Sequence, residues 1–169
     1  GNYIFTMDEN VTMEESIVDL LKEKQMTVTT AESCTGGLLS GRILNVPGAS
    51  AASKEGYLTY SNEPKEQLLG VSHESLETYG AVSYETAREM AAGAARSAGA
   101  DVALAVTGIA GPDGGTKEKP VGLVYIGCFV KGKVRAEEFH FTGNRRQHRD
   151  TAVIKALTPR RAALPEQYA

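Results

Sequence analysis

The period of hydrophobic and polar positions changes several times along the chain, and each change marks a boundary between a helix and a strand. Met13, Ile17, Leu20 and Leu21 recur at helical spacing behind Thr12 and Glu15, which stand in capping-box order, predicting a first helix near 12–25. The β-branched stretch "MTVTTAES" then reads as a strand. In "TGGLLSGRILN" the spacing turns helical again through Leu38, Leu39, Ile43 and Leu44, until Pro47-Gly48 ends it. A second strand at "EGYLTYS" leads into two short helices, "EPKEQLLG" and "SHESLETYG".

Ser83 is placed to cap a long helix, "YETAREMAAGAARSAG", whose apolar face is built from Ala87, Met90, Ala91, Ala94, Ala95 and Ala98. So small a face lets a helix lie close on a sheet. The continuous apolar run "DVALAVTG" predicts a central strand buried on both sides. "VGLVYIGCFV" and "VRAEEFHF", joined by Lys131-Gly132-Lys133, predict an antiparallel hairpin. A last helix starts after Asn144, and Pro159 ends or kinks it. Together these elements imply a three-layer α/β/α domain around a mixed, mostly parallel sheet of about five to six strands.

Composition narrows the picture. The 169 residues fit a single domain over 1–169, its core over about 12–157, and the apolar runs are too short to span a bilayer. The N-terminus lacks the basic and apolar regions of a secretory signal, and Cys34 and Cys128 have no CxxC spacing, so reduced thiols and a cytoplasmic location are expected. A net charge of -3 argues against bulk nucleic-acid binding. The only local basic concentration is Arg145, Arg146 and Arg149, with Arg160 and Arg161 beyond. Scattered His73, His140 and His148 and two remote cysteines offer no metal-ligand spacing, and no cofactor is expected. The expected partner is a small molecule rather than nucleic acid or a membrane, with the chain itself forming a homo-oligomer.

Three polar constellations carry candidate chemistry. "TTAESCTGG" sits at a strand-to-helix junction, where α/β sheets collect ligands and helix N–H groups stabilise negative charge. By itself it reads equally as a helix cap and as a site for a nucleophile, and it matches neither GxxxxGK[ST] nor GxSxG. "GIAGPDGGTKEKPVG", residues 108–122, is a long loop after the central strand, and its glycines suit either close approach to an anion or plain turns. "YLTYSNEPK" gathers two tyrosines, an amide, a carboxylate and Lys65 at a strand end; the bland alternative has Asn62 capping a helix and Lys65 in water. No histidine stands in an HxxxH arrangement, so if Ser33 is a nucleophile, lysine is the natural base to consider.

These segments, with "LLGV", "YGAVS" and "KPVGLVYIG" in the same order, resemble the C-terminal domain of CinA proteins over roughly residues 13–157. No molybdopterin-binding-like domain precedes them in the sequence, which looks like the family's stand-alone form, a nicotinamide mononucleotide amidase. The resemblance implies hydrolysis of that mononucleotide's carboxamide to nicotinate mononucleotide and ammonia by a metal-free serine/lysine amidohydrolase. By matching position, Ser33 is the implied nucleophile, Lys65 the general base and Tyr60 a group that orients or relays the proton. Ser50, Thr107 and Gly108 match further positions lining the family's site. Backbone N–H groups at Thr35 and Gly36 are the expected oxyanion donors.

The family's usual "GDR" stands here as Gly143-Asn144-Arg145, which makes Arg145 the first match for a substrate-binding arginine and Arg149 the second. The "AASKEG" segment and the "TPRRAALPEQYA" tail also depart from the family pattern. Cys34 is the rival nucleophile beside Ser33. The alternative functional class is a nucleotide-binding or regulatory module without catalysis.

Overall fold

Five strands, β1 (Val28–Glu32), β2 (Tyr57–Leu58), β3 (Val102–Gly108), β4 (Leu123–Val130) and β5 (Lys133–His140), hydrogen-bond in the order β2-β1-β3-β4-β5. This is the arrangement in the computed structural model, which describes residues 11–158. Pro159, Arg160, Arg161 and the tail after them lie outside the described residues, as does the N-terminal stretch read for a signal. The expected mixed sheet is present, with β2, β1, β3 and β5 running one way and β4 the other. The β1–β2 and β1–β3 pairs are parallel while β3–β4 and β4–β5 are antiparallel, because the hairpin adds its two strands on one side only.

Helices α1 (Met13–Glu23), α2 (Leu38–Leu44) and α6 (Arg145–Leu157) cover one face. Val18, Leu21, Leu39, Ile43, Val153 and Leu157 pack there against Val28, Val102, Leu104, Val106 and alternate residues of β4. Helices α3 (Asn62–Leu69), α4 (His73–Thr78) and α5 (Tyr84–Ala98) cover the other. There Leu69, Leu76, Met90, Ala91 and Ala94 meet Ala31, Ala103 and Ala105. The expected close approach of the alanine-rich helix is confirmed, since a Cβ at Gly127 of β4 would collide with the Ala87 carbonyl of α5. A Cβ at Gly93 would likewise collide with the carbonyl of Leu69, so the end of α3 rests directly on α5. No helix among the described residues is long and apolar enough to cross a membrane.

Two boundaries differ from the expected ones, and both bear on the site. Strand β2 is two residues long rather than seven, because the carbonyls of Thr59, Tyr60 and Ser61 leave the ladder and turn toward the Lys65 ammonium. Ser61, not Asn62, is the N-cap of α3. Helix α2 begins at Leu38 rather than near Thr35, since Gly36 (φ 57) and Gly37 (φ 105) take the left-handed conformation in the turn before it.

The start of α2 has its own anion. Buried Glu32, the last residue of β1, accepts the Leu39 N–H (2.8 Å) and the Ser40 N–H (3.0 Å), with the Thr35 hydroxyl donating to it at 2.6 Å. A carboxylate at this end of a helix satisfies orphan donors and complements the dipole. It also locks the 33–37 turn to the strand. Glu32→Gln exchanges one acceptor oxygen for an N–H₂ group facing donors, and should cost about 2–4 kcal/mol. The check is a lower urea midpoint at unchanged slope.

Candidate active site

Residues alternate across the end of β1. Glu32 and Cys34 face α2 and α6, whereas Ser33 faces α3 and α5. The Ser33 N–H extends the ladder by donating to the Val106 carbonyl at 2.9 Å, which fixes the serine beside the end of β3. Its side chain is 7% exposed.

Lys65 lies in the second turn of α3 and is 1% exposed, among the largest fully buried side chains of the described residues. The solvated lysine of the bland alternative is therefore excluded. Its Nζ donates to the Ser33 Oγ at 3.1 Å and to the carbonyls of Thr59 (2.7 Å), Ser61 (3.3 Å) and Tyr60 (3.4 Å). Burial, which disfavours the ammonium, pulls the Lys65 pKa down from 10.5 to about 8. The carbonyls act in the opposite sense by favouring the protonated form. The Ser33 hydroxyl donates to the Tyr60 carbonyl at 3.3 Å, so in this conformation its proton points at the backbone rather than at the amine.

Tyr60 is 60% exposed, and its phenol meets neither Ser33 nor Lys65 but accepts from Arg145 Nη2 at 3.2 Å. The contact between Tyr60 and the serine is made by the backbone carbonyl. Arg145 also donates from Nη1 to the Gly111 carbonyl at 2.6 Å, tying α6 to the glycine-rich loop. One turn on, Arg149 donates to the carbonyls of Cys34 (2.9 Å) and Thr35 (3.3 Å). Leu38, Arg145, Arg146, Arg149 and Asp150 line an open cleft of about 400 Å³ at this end of α6.

The remaining sequence-derived candidates divide. Thr107 is buried on β3, on the same face as Ser33, and donates to the Ala81 carbonyl at 2.8 Å. Gly108 ends β3 where a Cβ would press on Val124 and the Leu123 carbonyl, so its bareness serves strand packing. The Gly36 N–H already donates to the Ser33 carbonyl at 3.1 Å, while the Thr35 N–H has no acceptor among the described residues. Ser50 is not brought into the group. It is exposed in a short 3-10 turn beside Ala52, whose carbonyl accepts from Val28 N–H at the opposite end of β1.

Cys34 is 6% exposed, and burial pushes its thiol up to about 11, which leaves it a poor nucleophile. Two residues without an assigned part in the sequence prove structural here. Glu32 holds the turn, and buried His148 donates from Nδ1–H to the Ala110 carbonyl at 2.8 Å, pinning the start of the glycine-rich loop. A glutamate just before a helix start was the available signal for the first; the second has none in the sequence. No group of three His, Cys, Asp or Glu side chains among the described residues converges as a metal site would.

Comparison with known proteins agrees with the motif resemblance. The family model described as "CinA C-terminal domain" matches residues 10–164. A putative competence-damage inducible protein of Clostridium novyi is 53% identical over 150 residues, and a CinA-like protein of Kosmotoga olearia is 51% identical over 166. The matches cover 89% and 98% of this chain but only 36% and 40% of those relatives. Among solved structures, the competence/damage inducible protein CihA from Agrobacterium tumefaciens has a TM-score of 0.84 at 43% identity, covering 86% of this chain and 89% of that one. A CinA superfamily protein from Escherichia coli has a TM-score of 0.84 at 36% identity, over 98% of this chain and 96% of that one. The chain belongs to the CinA C-terminal domain family.

Proposed function

We infer that this chain is an amidohydrolase that cleaves the carboxamide of nicotinamide mononucleotide, giving nicotinate mononucleotide and ammonia. The observation that carries the reading is the buried Lys65 Nζ at 3.1 Å from the Ser33 hydroxyl, with a lysine pKa brought down to about 8. A lysine at that pKa is neutral in roughly a tenth of molecules at pH 7, against less than a thousandth for one in water. Pairing a serine with such an amine suits a substrate whose carbonyl is resonance-stabilised and whose leaving group needs a proton.

In this scheme the Ser33 hydroxyl turns from the Tyr60 carbonyl to Nζ and attacks the carboxamide carbon, and Lys65 takes the proton. The tetrahedral oxyanion is held by backbone N–H groups of the turn, where the amides of Thr35 and Gly37 have no acceptor among the described residues. Collapse breaks the C–N bond as the Lys65 ammonium protonates the departing nitrogen, leaving an ester on Ser33 and free ammonia. Water then attacks the ester with Lys65 again as base, and nicotinate mononucleotide leaves. The 5′-phosphate engages the arginines of the cleft, Arg145 first, by charge-assisted hydrogen bonds.

Ser33→Ala and Lys65→Met should each lower ammonia release by at least about 10²-fold with the circular dichroism spectrum unchanged. Cys34→Ser should retain activity. Near wild-type turnover in either of the first two contradicts the reading, as does tight mononucleotide binding with no ammonia formed. Because the base acts when deprotonated, kcat/KM should rise about tenfold per pH unit on the acid side and level above the Lys65 pKa of about 8. A pH–rate profile without that limb removes Lys65 as base.

A further inference from the structure

Tyr60 has two ends that are held by different parts of the site. Its carbonyl accepts from both Ser33 Oγ (3.3 Å) and Lys65 Nζ (3.4 Å), longer bonds than those from Nζ to Ser33 Oγ (3.1 Å) and to the Thr59 carbonyl (2.7 Å). Its phenol accepts from Arg145, whose other donor holds Gly111. Arg145 thus spends both of its hydrogen bonds on neutral oxygens, while Arg146 pairs with Asp150 at 3.7 Å and Arg149 braces the carbonyls of the 34–35 turn. A guanidinium facing a cleft prefers an oxyanion to a phenol, because an anion adds opposite charge and accepts two parallel N–H bonds where the phenol accepts one.

We propose that Arg145 is a positioning residue that couples anion binding in the cleft to the state of the Ser33–Lys65 pair. This rests on the amidohydrolase reading above and goes beyond it by giving the substrate's phosphate a part in kcat as well as in affinity. In the resting site Arg145 holds Tyr60, and the Tyr60 carbonyl holds the Ser33 proton away from Nζ. A phosphate in the cleft draws the guanidinium off the phenol, the 60–61 backbone relaxes, and the Ser33 hydroxyl loses its carbonyl acceptor and turns to Lys65. Lys65 keeps its place through Thr59 and Ser61. Binding energy from a remote, non-reacting group is then spent on the reacting pair. The device also protects the nucleophile from amides that carry no anion.

The test uses nicotinamide riboside, the substrate without its phosphate, with inorganic phosphate added separately to the intact protein. Phosphate should raise kcat for the riboside about tenfold or more with little change in its KM. Arg145→Met should abolish that activation. Tyr60→Phe, which removes the phenol acceptor, should raise riboside turnover without phosphate and flatten the phosphate response. Phosphate that leaves riboside turnover unchanged, while the mononucleotide is hydrolysed, overturns the coupling and spares the proposed activity. Activation that survives in Arg145→Met also overturns it. Failure to hydrolyse the mononucleotide at all overturns both.

Discussion

The burial of one lysine amine is the constraint around which this site is arranged. An ammonium removed from water must be hydrogen-bonded or must give up its proton, and the protein draws on both remedies for Lys65. Three successive carbonyls turn inward to receive Nζ, and strand β2 is cut to two residues because those carbonyls are no longer available to a neighbour. The fourth acceptor is the Ser33 hydroxyl. A structural interaction motif has no need of a buried cation beside a strand-end serine. A base that must be neutral near physiological pH does need one, since burial is what lowers its affinity for the proton.

Support for that pair comes from the opposite face of the sheet and from the helix beneath. Glu32, adjacent to Ser33 in sequence but pointing the other way, neutralises the start of α2 and keeps the 33–37 turn in register. The anion-attracting helix end is therefore occupied by the protein's own carboxylate, Glu32. On the lysine side, α3 lies on α5 through the bare backbone at Gly93. Helix α6 closes the arrangement from above, with Arg149 on the turn, His148 and Arg145 on the glycine-rich loop, and Arg145 also on Tyr60.

Much of this was legible in the amino-acid order, and the exceptions have physical causes. Helix and strand periods placed the layers, the alanine stripe announced the close helix–sheet contact, and the apolar run of β3 marked the centre of the sheet. The two glycines after Thr35 disguised the start of α2, because helical spacing of the later leucines does not reveal two left-handed residues before them. Asn62 had the composition of a cap, but the backbone turns one residue earlier, at Ser61, to bring the carbonyls to Lys65. Ser33 and Lys65 stood out as chemical types, yet their contact is a tertiary fact carried by residues 32 positions apart. Ser50 shows the reverse: a polar residue of the right type that the chain leaves at the far end of β1.

The proposed chemistry depends on the protonation of one nitrogen, Lys65 Nζ. Titration of the Lys65 side chain by NMR, on protein carrying isotope-labelled lysine and assigned against Lys65→Met, reads that directly. A midpoint near 8, well below the 10.5 of an ordinary lysine, is the result expected of a buried base. A Lys65 resonance that titrates with the exposed lysines near 10.5 would contradict it.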